Sequence, residues 1–197
     1  ISLPIEGLER LVEITLDPVD QMRHTELLKN GRRWAQASEI CRVKTMPFLV
    51  ETAVKAAIAD RAMFPNGGAM MVLDSNEELA QALDFANQMI EQRGLSWSAN
   101  GRTLETSQDP TVGLIGVTKR DVTGYNLTRM GRMVTGVYAS SPSSRHQLRG
   151  RIRRVGQTRT SVEYITVVPK HTILGLLHQR HNSIDKANES LAELAEI

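Results

Sequence analysis

Two apolar periods alternate along the chain. Residues 8–16 end in strict apolar–polar alternation, with Val12, Ile14 and Leu16 on one side, and read as a strand. Asp17-Pro18 stops it and opens a polar segment to about residue 37, held only by Met22, Leu27, Leu28 and Trp34, which predicts a weakly packed helical connector. From Pro47 to about residue 62, Phe48, Leu49, Val50, Val54, Ala57 and Ile58 recur at helical spacing, and Pro65-Asn66-Gly67-Gly68 ends that helix in a turn. Residues 69–73 form a short unbroken apolar run, as expected of a strand covered on both faces. Ser75 then caps a predicted helix to about Arg93, with Glu78 completing a capping box and Leu79, Leu83, Phe85, Ala86, Met89 and Ile90 as its buried stripe.

Residues 95–98, 111–118, 133–138 and 162–168 read as four further strands, with Asn100-Gly101 and a polar loop between the first two. Residues 172–194 predict a closing helix carrying Ile173, Leu176, Leu177, Ile184 and Leu191. Strands alternating with helices imply βαβ units, so the expected fold is α/β: three layers, with a mostly parallel central sheet between helices. The expected division is a lead-in strand and helical connector over 1–45, followed by the main lobe over 46–197.

One helical pattern carries more than packing. Wound as a helix, residues 147–157 place Leu148, Ile152 and Val155 on one stripe, Gln147, Arg151 and Arg154 on its neighbour, and Arg149 and Arg153 on the other flank. Ser141-Pro142 supplies the expected start and Gly156 the expected stop.

Charge changes how this stretch reads. Between Val122 and Val162 there are eight arginines and no Asp or Glu, while the whole chain is +2; everything outside that window sums to 2 − 8 = −6. Basicity this local implies an anionic partner. The remaining composition, 41% hydrophobic and 23% charged, is that of an ordinary globular chain. No apolar run approaches a membrane span, so no membrane partner is expected. The single Cys41 precludes an internal disulfide; it is expected as a small packed thiol in a reducing, intracellular setting. The chain opens at Ile1 instead of Met, and the expectation is a piece of a longer polypeptide.

In an open parallel sheet, ligands bind beyond the carboxyl ends of the strands. Three segments are candidates there: Asp74-Ser75-Asn76, residues 118–128, and the arginine-rich stretch, all expected on one edge of the sheet. Paired guanidiniums suit phosphate because the planar fork donates two parallel hydrogen bonds and keeps its charge. The sequence contains no G-x-x-x-x-G-K-[ST] phosphate loop and no acidic pair in an apolar strand for Mg²⁺. His178 and His181 stand at i, i+3 without a nearby acid, which does not suit a helical metal pair; a solvated surface is expected for them, and no metal site is assigned.

The stretch also resembles motif six of helicase superfamily two, in the Swi/Snf-type form Q-x-x-G-R-x-x-R-x-G-Q: Gln147, Gly150, Arg151, Arg154, Gly156 and Gln157 fill each fixed position. Gly124, Asn126, Leu127 and Thr128 are similar to the G-x-N-L-T core of motif five, and residues 72–75 to motif four. The acid and tryptophan that usually precede the proline are Val137 and Ser140, and the segment between Gly101 and Thr111 is shorter than usual, which points to a divergent member, viral or bacterial.

The resemblance implies the second RecA-like lobe, the helicase C-terminal domain, of an ATP-dependent DNA helicase or translocase. It implies arginine fingers at Arg151 and Arg154, nucleotide contacts from Gln147, Gly124, Asn126 and Gln157, and nucleic-acid backbone contacts from Ser75, Thr118, Lys119, Arg120 and Thr128. ATP and Mg²⁺ would be held mainly by an N-terminal RecA-like lobe outside these residues, and the partners would be that lobe and DNA, with RNA the other candidate nucleic acid. The setting implied is cytoplasmic or nuclear. The alternatives are a stand-alone nucleic-acid-binding or regulatory module without ATPase function, and an unrelated nucleotide-binding α/β domain.

Overall fold

A computed structural model of the chain describes residues 4–30, 33–121, 124–137 and 142–182. Six strands form one sheet: β1 (Glu6–Ile14), β2 (Ala69–Leu73), β3 (Ser98–Gly101), β4 (Val112–Thr118), β5 (Arg132–Thr135) and β6 (Ser161–Pro169), in the order β1-β6-β5-β2-β4-β3. Every pairing is parallel. The expected three-layer α/β arrangement is met, with the sheet wholly parallel among the described residues.

One face is covered by α2 (Trp34–Met63) and α3 (Asn76–Gln92), which pack Leu49, Val50, Val54, Ala82 and Ala86 against Met71, Leu73, Leu114 and Ile165. The other is covered by residues 124–130, by α5 (Pro142–Arg149) and by the turns that follow it, which bury Leu127, Met130, Leu148 and Ile152 on Met70, Val72, Ile115 and Tyr164. Successive β2 side chains therefore enter opposite cores, the reason that run is apolar throughout.

Several elements depart from the periodicity reading. The helix expected to begin at Pro47 begins at Trp34, and Pro47 lies inside it. Its buried positions, Ala37, Cys41, Thr45, Leu49, Ala53, Ala57 and Asp60, keep one stripe through the proline, and that burial outweighs the missing N–H. The polar segment before it is the separate α1 (Pro18–Lys29), capped by Asp17, whose carboxylate accepts from the Asp20 amide at 2.9 Å. The 45/46 boundary falls within α2. Phe48 and Phe85, read as buried, are about half exposed.

β3 lies later than expected and contains Asn100-Gly101, because the Asn87 side chain engages both the amide and the carbonyl of Ala99 at 2.9 Å each. The polar loop after it holds a short helix, α4 (Leu104–Gln108), closed by a Thr103–Thr106 capping box. Ser75 does cap α3, accepting from the Glu78 amide at 3.2 Å, but the Glu78 carboxylate turns to Arg42 at 3.8 Å instead of back to the cap. Of the closing helix, residues 173–182 are described and helical; Ile184 and Leu191 lie outside the described residues, as do Ser140 and Ser141.

Candidate functional site

The arginine-rich stretch is not one continuous helix. α5 ends at Arg149, and residues 150–156 are turns. Gly150 disfavours continuation, and leaving the helix lets Ile152 become fully buried while Val155, expected on the same stripe, is 82% exposed. The turn is pinned from both sides: the Leu127 amide donates to the Arg151 carbonyl at 2.9 Å, and the Gln157 amide group donates to the carbonyls of Met130 and Ile152 at 3.1 and 2.9 Å. Gly156, at φ 102°, takes a backbone conformation that side-chain-bearing residues rarely adopt.

Arg151 and Arg154 converge on one residue that sequence reasoning passed over. The Arg151 guanidinium lies 4.8 Å from the Tyr125 ring centroid, and the Arg154 guanidinium donates to the Tyr125 carbonyl at 3.1 Å. Arg102 covers the same ring at 4.3 Å. Burial first, then the Asp121 carboxylate, push the Tyr125 pKa up to about 12, against the pull of Arg151 and Arg102, so the ring stays neutral between its cations. The signal was there to find: a lone aromatic between Gly124 and Asn126 in a basic loop, in a chain only 4% aromatic. Tyr125 thus joins residues 124–128 to the arginine-rich stretch, with Asn126 closing an Asx turn onto the Thr128 amide at 2.9 Å. Gly124 and Asn126 are exposed beside it, and Gln147 is exposed on α5.

Gln157 and Thr128 lie elsewhere. The Gln157 side-chain oxygen accepts from Arg159, at 2.9 Å from the guanidinium, so both ends of that amide are engaged within the fold. Arg159 is buried, forms a two-pronged pair with Asp60 at 3.0 and 2.5 Å, and donates to the carbonyls of Thr128 and Arg129. Arg129 in turn donates to the carbonyls of Asn66, Val112 and Thr106. This knot sits where β2 and β5 begin, with the Asp60 carboxylate also accepting the Gly68 amide at 2.8 Å. Asp60 was legible in retrospect as an acid on the apolar stripe of α2.

The strands' carboxyl ends bring together four of the five candidate nucleic-acid contacts. Leu73 and Thr118 are register partners, so Ser75 after β2 and Thr118, Lys119 and Arg120 after β4 are neighbours. Lys119 is turned inward to Asp74 at 2.5 Å, whereas Arg120 is exposed. The three candidate segments therefore gather only in part: Lys119 lies on Asp74 and borders one cavity with Arg149, whereas the crossing from β4 to β5 and the turns after α5 carry Thr128, Gln157 and Arg159 to the opposite end of the sheet. Much of the local positive charge is matched internally, with Arg132 on Glu163, Arg149 on Glu9 and Arg153 on the Ile5 carbonyl. Among the described residues, no group of three or more His, Cys, Asp or Glu gathers as a metal would require.

His178 and His181 depart from expectation. Both border a cavity over β1, β5 and β6, and His181 is buried. Cys41 is the packed thiol expected, with burial pushing its pKa up.

No family model matches the chain, and no curated protein does. Among solved structures, the C-terminal part of the Fun30 ATPase domain aligns with 80% of this chain and 53% of its own, at 16% identity and a TM-score of 0.48. Mycobacterium smegmatis helicase Lhr, solved with ssDNA and AMP-PNP, aligns with 85% of this chain and 20% of its own, at 13% identity and a TM-score of 0.47. The chain is similar to both in chain path. It spans about half the length of the first and a fifth of the second. No helix among the described residues is long and apolar enough to cross a membrane.

Proposed function

We propose that this chain is the C-terminal motor lobe of an ATP-dependent DNA helicase or translocase, presenting Arg151 and Arg154 to a nucleotide held on a separate RecA-like lobe. The observation that carries the reading is the junction at Tyr125, through which two motif-like segments remote in sequence share one surface: the Arg151 carbonyl takes the Leu127 amide, and the Arg154 guanidinium takes the Tyr125 carbonyl. A guanidinium seated on a carbonyl and another lying over a ring have fixed positions, and fixed cations stabilise charge that develops on a transferring phosphoryl group without reorganising. In this reading Gly124 and Asn126, exposed on either side of Tyr125, and Gln147, exposed on α5, are the nucleotide contacts, and Gln157 keeps the turn in shape.

Mg²⁺ belongs to the other lobe in this reading, since neither the sequence nor the described side chains offer a carboxylate set for it. Nucleic acid would cross the carboxyl ends of β2 and β4, where Ser75, Thr118 and Arg120 offer hydroxyl and guanidinium groups to a phosphate backbone, a contact without sequence preference. Closure of two lobes around ATP and their opening after hydrolysis then drive movement along the strand.

Two measurements test this. The 197-residue chain alone, lacking a phosphate loop, shows no DNA-stimulated ATP hydrolysis; turnover by the purified chain overturns the reading. In a polypeptide carrying both lobes, Arg154→Ala lowers kcat by about 10³-fold.

A further inference from the structure

Arg151 and Arg154 use different parts of Tyr125. Arg154 donates to its backbone carbonyl at 3.1 Å, whereas the Arg151 guanidinium rests against its ring, 4.8 Å from the centroid. The Arg151 backbone is pinned by the Leu127 amide, but its guanidinium ends a long, rotatable side chain. The orientation of the ring therefore bears on where Arg151 points, and what holds the ring bears on Arg151 more than on Arg154.

Arg102, outside both basic segments, is placed to hold it. It follows Gly101 at the end of β3, its amide donates to the Gly116 carbonyl on β4 at 3.1 Å, and its guanidinium lies 4.3 Å from the same centroid. Its Nε donates to the Asp121 carboxylate at 2.9 Å. The Asp121 amide donates to the Thr118 carbonyl at 3.0 Å, which ties that carboxylate to the end of β4. The side chains of the pair are 23% and 19% exposed, so salt screens it less than a surface pair. Arg102 is thus fixed at its backbone, at its Nε and over the ring.

Charge explains why an acid belongs beside it. Two guanidiniums that approach one ring repel each other. The Asp121 carboxylate offsets the charge of Arg102, so the ring carries both. The Tyr125 hydroxyl keeps its proton well above neutral pH, and the ring remains a neutral π face for cations. Tyr125 belongs to the core that contains Leu127 and Ile152, and Arg102 brings to it a contact from the edge strand of the sheet.

We propose that Arg102 is a positioning residue for Arg151: held by Asp121, it fixes the Tyr125 ring, and the ring fixes the guanidinium that serves the nucleotide. This rests on the reading of Arg151 as an arginine finger and adds to it a residue that acts through another side chain.

ATP turnover with DNA in a polypeptide carrying both lobes tests it, with the unfolding midpoint measured for each variant. Arg102→Gln lowers kcat about tenfold, as a small misplacement of a catalytic group does, and leaves the KM for ATP within about twofold. Arg102→Lys, which keeps a cation for the ring and for Asp121, restores most of that loss. In an Arg151→Ala background Arg102→Gln lowers kcat no further, because its effect passes through Arg151; a purely structural role lowers it in both backgrounds. If Arg102→Gln does not fold, Tyr125→Leu keeps an apolar side chain in the core, removes the ring and gives the same non-additive fall. An unchanged kcat in Arg102→Gln where Arg151→Ala lowers it, or an equal further fall in the Arg151→Ala background, overturns the positioning role and leaves the finger reading standing. An unchanged kcat in Arg151→Ala contradicts the finger reading, and the positioning role falls with it.

Discussion

Arg154 and Arg159 belong to one basic segment, yet the fold treats them oppositely. Arg159 is buried, held by both oxygens of Asp60, by the Gln157 side chain and by two backbone carbonyls, with its guanidinium over the Phe64 ring at 4.1 Å. Arg154 is half-buried and donates to one carbonyl, that of Tyr125. A fully satisfied guanidinium has nothing left to offer an external anion, whereas one anchored by a single prong still has donors free in geometry and fixed in position. Local charge density in a sequence therefore does not report how much of that charge faces a ligand.

The comparison breaks most visibly at Asp60. Asp60→Ala strands the Arg159 guanidinium in the core and costs about 3–5 kcal/mol of unfolding free energy, read by urea titration; a loss below 1 kcal/mol (~1 kcal/mol marks an exposed pair) would show that Arg159 is as available as Arg154. Next is the turn between them. Ile152→Ala costs about 2–5 kcal/mol because Ile152 is fully buried, while Val155→Ser, at an exposed position, stays within about 0.5 kcal/mol. Equal losses from the two would restore the continuous amphipathic helix that periodicity predicts.

The smallest effect concerns the far end of the sheet. The buried His24 ring accepts the Ile173 amide at 3.0 Å, and burial lowers its pKa from 6.5. Below about that value the unfolded chain takes up a proton that the folded chain excludes, so stability falls as pH drops from 6.5 toward the depressed folded-state pKa. His24→Leu costs about 1 kcal/mol at neutral pH through the lost hydrogen bond and flattens this acid limb, leaving the slope that His178 contributes in the same direction. An acid limb unchanged in His24→Leu would place the titration elsewhere.

The layers and strand directions were legible because the central strands β2 and β4 sit between two apolar cores, so runs such as residues 69–73 have few other readings. What escaped was decided by contacts between segments distant in sequence. Pro47 reads as a helix start until the buried stripe from Ala37 to Asp60 outweighs it, and residues 150–156 read as helix until Leu127 and Gln157 take their carbonyls. At the site, the pattern named Arg151 and Arg154 but could not separate them from Arg159, since the distinction lies in Asp60, contributed by α2. Nor could spacing place His178 and His181 over a cavity, because its floor comes from four strands that meet only in the folded sheet.

The central claim, that Arg154 serves a nucleotide outside this lobe, is tested most directly by ATP turnover with DNA in a two-lobed polypeptide bearing Arg154→Ala, with its unfolding midpoint measured alongside. The account predicts a fall in kcat of about 10³-fold with the midpoint retained. An unchanged kcat, or a fall that merely tracks loss of folded protein, contradicts it.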